Sequence, residues 1–552
     1  MSSEAMVIGA GPTGMTAALG LARRGLSVRM VDKGGGSSTR SKAFVVHPRT
    51  LESVHPLGVA EPLAEAAHQA DGAKMYADGQ TLAQIDVRDV ESPFPGLHVM
   101  PQSTTERVLL EAVEAEPAIE LEWETEVADV TGDETGVDVK FADGRTDRTP
   151  WLLGCDGAHS TVRKSVDADF EGEAIPGWFG LADVELTGEI PDRRLCVFLH
   201  PDGLIGCISY GDEGRYRVIA TLPDQPVDRE PEIDETFLRG ALETRTHLDA
   251  EIESVGWTSA FSIQQRRARA YRYGRIFLAG DAAHVHSPAG AQGMNTGMQD
   301  AVNLTWKIGR VAADRSSETL LDSYEAERIP VAEDLLRGTG ISTKIAASDN
   351  PLVKAVRNRL VHFMSSVDAI HRRLVRNLTM IEIAYPNSPI VDEQSDSIWT
   401  ADIVGDEMSE AASVAERWAF RQGPNAGGRV PPGPVSGLEG ASSIYDFISH
   451  EHFTLLLFDG RVHTDEGDRR LDEIRRALED RDDVASVIVV SRDERPDVYP
   501  DECDVCLDND FGLHEQFSAD AECLYLLRPD GYIAYRQQPP SLEGLEKFLG
   551  AI

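Results

Sequence analysis

Residues Ala5–Lys33 read AMVIGAGPTGMTAALGLARRGLSVRMVDK, and this stretch decides the fold. AMVIGAG is a short apolar strand, PTGMTAALGLARRG a helix closed by Gly25, and LSVRMVDK a second strand. That succession is a β–α–β unit. Gly9, Gly11 and Gly14 spell GxGxxG between the first strand and the helix. Gly9 permits the tight turn, Gly11 lets backbone approach a pyrophosphate, and Gly14 allows close helix packing. The helix start adds free N–H groups and the positive end of a dipole. Asp32 ends the second strand 21 residues after Gly11, where a carboxylate binds ribose hydroxyls. The pattern marks a dinucleotide site without choosing between FAD and NAD.

At 552 residues the chain is too long for one core, so several domains are expected. No apolar run approaches the roughly 18 residues of a membrane span. The N-terminal MSSEAMVIGAGPTG has no basic region and no cleavage-like site, so the expected location is cytoplasmic. Net charge is -40, and only nine of the 53 basic residues are Lys. Such a surface repels nucleic acid and anionic membranes. Two readings fit the bias: a generic acidic protein, or a halophilic one in a high-salt cytosol that screens self-repulsion. The scarcity of Lys favours the second. Six Cys form no disulfide framework. Cys503 and Cys506 make a lone CxxC in an acidic, turn-like stretch, and their role stays open.

Farther along, IELEWETEV and GVDVKF suggest antiparallel strands, and WLLGCDGAHSTVRK a buried strand opening into a polar loop. Residues 179–221 are strand-rich and are followed by the helix ETFLRGALETR. The strand RIFLAGD then leads, through the nearly uncharged loop AAHVHSPAGAQGMN, into a long helix. Asp281 is the one acid there, placed past a strand on the usual ligand side of an α/β sheet. After the Gly- and Pro-rich stretch around FRQGPNAGGRVPPGPVSGLEG the pattern changes to strand, helix, strand, hairpin and helix, a separate α/β domain.

GAGPTG with Asp32, CDGAHSTVR (Cys155–Arg163), GDAAHVHSPAGAQGMNTGMQDAVNLTWKI and the late LYLLRPDGYIAYR occur in the order found in class A flavoprotein monooxygenases. The chain resembles that family, with the para-hydroxybenzoate hydroxylase fold, and within it the phenol-hydroxylase-like and polyketide aromatic hydroxylase branch. The resemblance implies an α/β fold: an FAD-binding Rossmann-like domain with an inserted β-rich substrate domain, a helical segment and a C-terminal thioredoxin-like domain. Expected boundaries are 1–178 (with an excursion into the substrate domain near 75–100), 179–264 for the substrate domain, 265–395, a linker at 396–440, and 441–552.

The same resemblance assigns the cofactor site to Gly9, Gly11, Pro12, Gly14, Asp32, Lys33, Gln102, Asp156, Asp281, Pro288, Gly293, Met294 and Asn295. Asp281 would bind ribityl or pyrophosphate-side hydroxyls, and Pro288 would lie at the reactive face of the flavin, the one catalytic assignment. Gly293, Met294 and Asn295 would aim N–H groups at flavin N1 and O2, where reduction places negative charge. Asp156 would contact FAD; Arg163 is either the support of its loop or a surface arginine. Gln102 would reach the flavin or cap a helix. Relatives place an Arg over the flavin, whereas this chain offers Lys42 or Arg40, and Lys lacks the planar fork. His284 and His286 form an HxH without a third ligand nearby, so no metal is expected.

The implied reaction is hydroxylation of a small phenolic substrate by FAD, NADH or NADPH and molecular oxygen, through a flavin C4a-hydroperoxide. Tyr210, Tyr216 and His200 are candidate groups for the phenol proton, and the base stays unknown. The C-terminal domain lacks Cys where thioredoxins carry their redox pair, which implies a structural or homodimer-forming role. Alternatives are a flavin reductase or dehydrogenase on the same fold, and a silent flavin-binding interaction protein.

Overall fold

The computed structural model describes all residues except 1–2, 38–42, 192, 212–213, 223–230, 288–289, 347–367, 396–413, 436–442, 462–464, 479–480, 482, 492–494, 497, 501–502, 509 and 511. Its first sheet runs Arg272–Tyr273, Ile276–Leu278, Trp151–Gly154, Ala5–Ile8, Val28–Val31, Ile119–Glu122. All neighbours are parallel except the first pair. Ala5–Ile8 is buried along its whole length, because strands flank it on both sides and helices cover its faces. The helices Pro12–Ala22 and Gly293–Ala312 pack so closely that a Cβ on Gly20 would lie 2.4 Å from Thr305 Oγ1. IELEWETEV is split, against the antiparallel expectation for its first half. Ile119–Glu122 is the parallel edge of this sheet, drawn there by pairing with Val28–Val31, while Val127–Gly132 starts a separate three-stranded antiparallel sheet.

An eight-stranded sheet forms the second layer, with order His284–Val285, Ala250–Ala268, Phe170–Gly188, Arg215–Leu222, Gly203–Ser209, Arg194–His200, Gly72–Ala77, Gln80–Asp86. The early hairpin Gly72–Asp86 is thus its far edge. The two 19-residue strands pair antiparallel with three register shifts, which let so long a ribbon twist. One face, with Ala182, Val184, Val218, Ala220 and Cys207, packs on the helix Glu235–Arg245. The other face turns toward the first domain.

The C-terminal sheet has the order Asp392–Ser395, Ile533–Gln538, Cys523–Leu527, Phe453–Phe458, Val484–Ser491, Asp504–Leu507. Phe453–Phe458 is parallel to Val484–Ser491 and antiparallel to Cys523–Leu527, a thioredoxin-like arrangement closed by the helix Leu542–Leu549. Cys506 is buried in the edge strand, and Cys503 lies half-buried just before it. Among the described residues no helix is long and apolar enough to cross a membrane.

His514 is fully buried in this domain, with Nδ1 2.8 Å from Asp508 and Nε2 3.1 Å from Asp459. Burial pulls its pKa down, but the two carboxylates more than offset that and hold it above its ordinary value of about 6.5. A raised folded-state pKa stabilises fully below pH 6.5, and that contribution is lost as pH rises through the folded value. The melting temperature is therefore expected to fall between pH 6 and pH 9, and more steeply than in His514→Asn. Parallel slopes for the two proteins would refute this.

Candidate active site

The turns after Ile8, Val31, Gly154 and Leu278 place the first part of the site at the carboxyl end of the parallel sheet. Gly9 has φ of +105°, and a Cβ there would lie 2.4 Å from the Cys155 carbonyl oxygen. A Cβ on Gly14 would lie 1.9 Å from the Gly9 carbonyl oxygen. A Cβ on Gly11, by contrast, meets nothing within 4 Å: this turn is closed toward the protein and open on its outer side. Pro12 is buried in the first turn of its helix. Asp32 holds the loop from the next strand, accepting from the Ala10 and Gly34 amides at 2.7 Å each. Lys33 beside it is exposed.

Asp156 lies against the same turn. Its Oδ2 accepts from the Thr161 and Val162 amides at 2.6 and 3.2 Å, capping the helix Thr161–Ser165. Its Oδ1 is buried with no hydrogen-bond partner among the described residues. A buried carboxylate oxygen without a partner is costly in a completed site. Beside an outward-open glycine turn, it fits a polar group of a dinucleotide. Arg163 is buried, donating to the Ala282 and Ala158 carbonyls at 2.8 and 2.7 Å with its guanidinium 3.9 Å over the Phe170 ring. It joins the Asp156 loop to the Gly280–Ala282 turn, so it supports the loop and is no surface residue. Asp281 is the exposed member of that turn.

Gly293, Met294 and Asn295 are the first three residues of the helix Gly293–Ala312. Asn295 is fully buried: its Oδ1 accepts from the His47 amide at 2.9 Å, and its Nδ2 donates to Val45 and Ala291 at 2.8 and 2.9 Å. His47 Nε2 lies 3.0 Å from the Gly290 oxygen. Burial pushes the His47 and His286 imidazoles down to about 4, so both are neutral at pH 7. The helix start therefore lies beside two neutral imidazoles. One turn deeper, Asp300 accepts from Gly280 N at 3.1 Å and Arg328 Nε at 2.6 Å, with His284 Nε2 at 2.7 Å. His284 thus belongs to a buried ion-pair network beneath the Asp281 turn. Gln102, first in its helix, accepts from Ala43 N at 3.1 Å and donates to Glu106 at 2.8 Å, tying down the segment that precedes Phe44. Arg40, Lys42 and Pro288 lie outside the described residues.

The open face of the eight-stranded sheet meets this loop. Its registers align Trp257, Asp183, Arg217 and Ile208 in one row across four strands. Arg217 Nε and a terminal nitrogen donate to the two Asp183 oxygens at 2.7 and 2.8 Å. The other terminal nitrogen reaches the Ala43 carbonyl at 3.4 Å, and the rings of Phe44, Tyr210 and Trp257 lie 5.7–5.8 Å from the guanidinium. Ile208 packs with Phe44 and Val45, and Tyr210 and Ala291 border the same cluster. Of the three candidate bases only Tyr210 is on this face. Tyr216 points into the opposite core, and His200 sits at a distal turn, its Nδ1 accepting from Asp202 N. Burial and the neighbouring Asp183 push Tyr210 up to about 12, so it stays protonated at neutral pH. Asp183 and Arg217 were invisible to sequence reading, since only the register unites them.

Residues 2–339 match the family described as "FAD binding domain". The 6-methylpretetramide 4-monooxygenase of Streptomyces rimosus is 35% identical over 398 residues, 70% of this chain and 71% of its own. Pentachlorophenol 4-monooxygenase of Sphingobium chlorophenolicum is 34% identical over 343 residues, 60% of this chain and 63% of its own. The solved OxyS anhydrotetracycline hydroxylase from Streptomyces rimosus matches 100% of this chain and 99% of its own, with a TM-score of 0.74 at 27% identity.

Proposed function

The chain belongs to the FAD-binding-domain family of flavin-dependent aromatic monooxygenases, and from that premise we propose that it hydroxylates a phenol held on the Trp257–Asp183–Arg217–Ile208 face. The observation that carries this reading is the polar pair set among aromatic rings, facing the Gly290–Asn295 loop.

Gly9, Gly11, Pro12, Gly14, Asp32 and Asp156 bind the dinucleotide portion of FAD, with Asp281 on its hydroxyl-bearing chain. Gly293, Met294 and Asn295 present their helix start to the ring, and Arg40 or Lys42, Gln102 and Pro288 complete the surroundings. FAD held there would supply the redox chemistry, passing electrons from NADH or NADPH to dioxygen, one atom of which goes to the substrate and the other to water. The protein binds, orients and keeps water out. The Gly293 helix start stabilises negative charge brought by reduction, with His47 and His286 neutral beside it. Asp183, clamped by Arg217, accepts the hydrogen bond of the substrate hydroxyl and raises electron density in its ring, while Tyr210 donates to substrate oxygen. The reaction belongs in the cytoplasm, where reduced nicotinamides are found.

The test is anaerobic reduction of the yellow protein by NADH and by NADPH across a panel of one-ring and multi-ring phenols, followed by labelled oxygen. Bleaching accelerated by a phenol, with label in the product, supports the reading. Reduction without incorporation makes the chain a reductase, and no reduction with any phenol makes it a silent flavin binder. Asp183→Asn is expected to lower kcat/KM about 10–100-fold, the range of one lost charge-assisted contact. Tyr210→Phe is expected to lose less. An Asp183→Asn enzyme of unchanged kcat/KM would remove the pair from the reaction. The -40 charge further predicts a melting temperature that climbs between 0.1 and 2 M KCl; a flat profile would count against a high-salt setting.

A further inference from the structure

The late motif LYLLRPDGYIAYR places Arg528–Tyr532 in a turn at the end of a C-terminal strand, and this turn is buried in the first domain. Two sets of contacts leave it. In the first, Asp530 Oδ2 accepts from Asn303 Nδ2 at 3.2 Å and Trp306 Nε1 at 3.1 Å, both on the helix Gly293–Ala312. Arg528 meets Glu327 with both terminal nitrogens at 2.7 and 2.9 Å, and Glu327 accepts from Lys307 of the same helix at 2.7 Å. The neighbouring Arg328 continues to Asp300 and to the Thr296 carbonyl, one turn from the helix start.

In the second set, Arg49 donates to the Asp530 and Gly531 carbonyls at 2.9 and 3.4 Å, with its guanidinium 4.4 Å over the Tyr532 ring. Arg49 lies two residues from His47, whose amide donates to Asn295. The second set therefore ends at Asn295 and the first at its neighbour Thr296, both in the first turn of the helix. Arg528, Glu327, Lys307 and Arg49 are fully buried, so water offers them no substitute partners.

We propose that the Arg528–Tyr532 turn is a positioning element for the cofactor site: it fixes the Gly293–Asn295 helix start and the His47 segment without touching the cofactor. The C-terminal domain thereby tunes how strongly the site favours reduced over oxidised flavin. The inference rests on the assignment of that helix start to the flavin. It does not depend on the identity of the phenol.

Three variants separate positioning from mere support. Asp530→Asn loosens the first set, Arg49→Lys keeps the charge but loses the fork and ring contact of the second, and Tyr532→Phe keeps the ring and removes only the long 3.4 Å hydrogen bond that the hydroxyl accepts from Arg49 Nε. Each protein is loaded with FAD, its melting curve is recorded, and its midpoint potential and visible circular dichroism are measured without any aromatic substrate. The expected result is a cooperative melt, with FAD affinity reduced about tenfold and a shifted potential in Asp530→Asn and Arg49→Lys, and little change in Tyr532→Phe. A tenfold difference between affinities for oxidised and reduced flavin reads as about 30 mV for a two-electron couple. Folded variants with wild-type potential and dichroism would overturn the proposal and leave the turn as structural glue. If Asp530→Asn fails to fold, Arg49→Lys decides on the same criteria. Binding of FAD by wild type in a spectrum unlike that of a protein-held flavin would instead defeat the assignment of the site itself.

Discussion

Gly9→Ala is expected to purify colourless, with affinity for FAD at least about 100-fold below wild type. Two costs meet at this position. An alanine held at φ of +105° leaves the allowed basins for L-residues, at about 1–3 kcal/mol. Its Cβ would also stand 2.4 Å from a backbone oxygen, that of Cys155. That oxygen cannot retreat cheaply: the Cys155 amide donates to Ile8 at 2.8 Å, at the end of the central strand pair. Relief must come from the loop, which pulls Ala10 from Asp32 and disturbs Asp156. A total of about 3 kcal/mol is two powers of ten in binding. Gly11→Ala is the informative contrast. Its Cβ meets no protein atom, so the apoprotein should melt like wild type and lose only the cofactor. Flavin fluorescence titration of both apoproteins measures this; a Gly9→Ala protein with wild-type affinity would show that the cofactor is not held at this turn.

Glu327→Gln should have the largest effect on stability, a loss of about 3–5 kcal/mol, the range for breaking a buried ion pair. Burial alone would raise the Glu327 pKa, yet Arg528 and Lys307 outweigh it and hold the carboxyl well below the usual range. One of its oxygens accepts from Arg528 and Ser388, the other from Arg528, Lys307 and Asn303. The amide replaces one acceptor by a donor among donors. Lys307, already brought to about 8 by burial, would lose the carboxylate that favours its charge. At about 2–4 °C per kcal/mol for larger domains, melting should drop by about 6–20 °C. Because the folded pKa is depressed, the wild-type contribution is present above the ordinary carboxylate value and disappears as pH falls through the folded one. The gap between the two proteins should narrow in acid. Glu466→Gln, on an exposed helix face, should melt within a degree of wild type. A Glu327→Gln protein that does the same would mean that the junction carries no net stability.

What could be read before the fold was known is what is local. The glycine turn, Asp32, Asp156 and the Gly293–Asn295 helix start are each defined within a strand–turn–helix of a few dozen residues. Hydrogen-bond geometry there follows from residue type and spacing. The open sheet face is different. Asp183 and Arg217 are 34 residues apart, and a one-residue slip in their strands would send both into the Glu235–Arg245 core. Tyr216 and Tyr210 looked equivalent for that reason. The junction is farther still from sequence reading: Glu327 and Arg528 are 201 residues apart and sit in different sheets' surroundings. IELEWETEV was misjudged because alternation marks a strand without naming its partner.

The Arg528 turn also bears on the order of events during synthesis. Glu327, Lys307 and Arg49 emerge from the ribosome long before residue 528, and until then Glu327 has only Lys307 for an ionic partner and Arg49 has Glu52. Before the hairpin of Arg528 and Asp530 arrives, the Glu327 carboxylate lacks the arginine fork, and Asn303 and Trp306 lack the Asp530 acceptor. A chain halted short of that hairpin would keep an open, charge-lined seam between helices, the kind of surface that proteases and chaperones recognise. The Arg528 hairpin thus supplies the partners that close this seam.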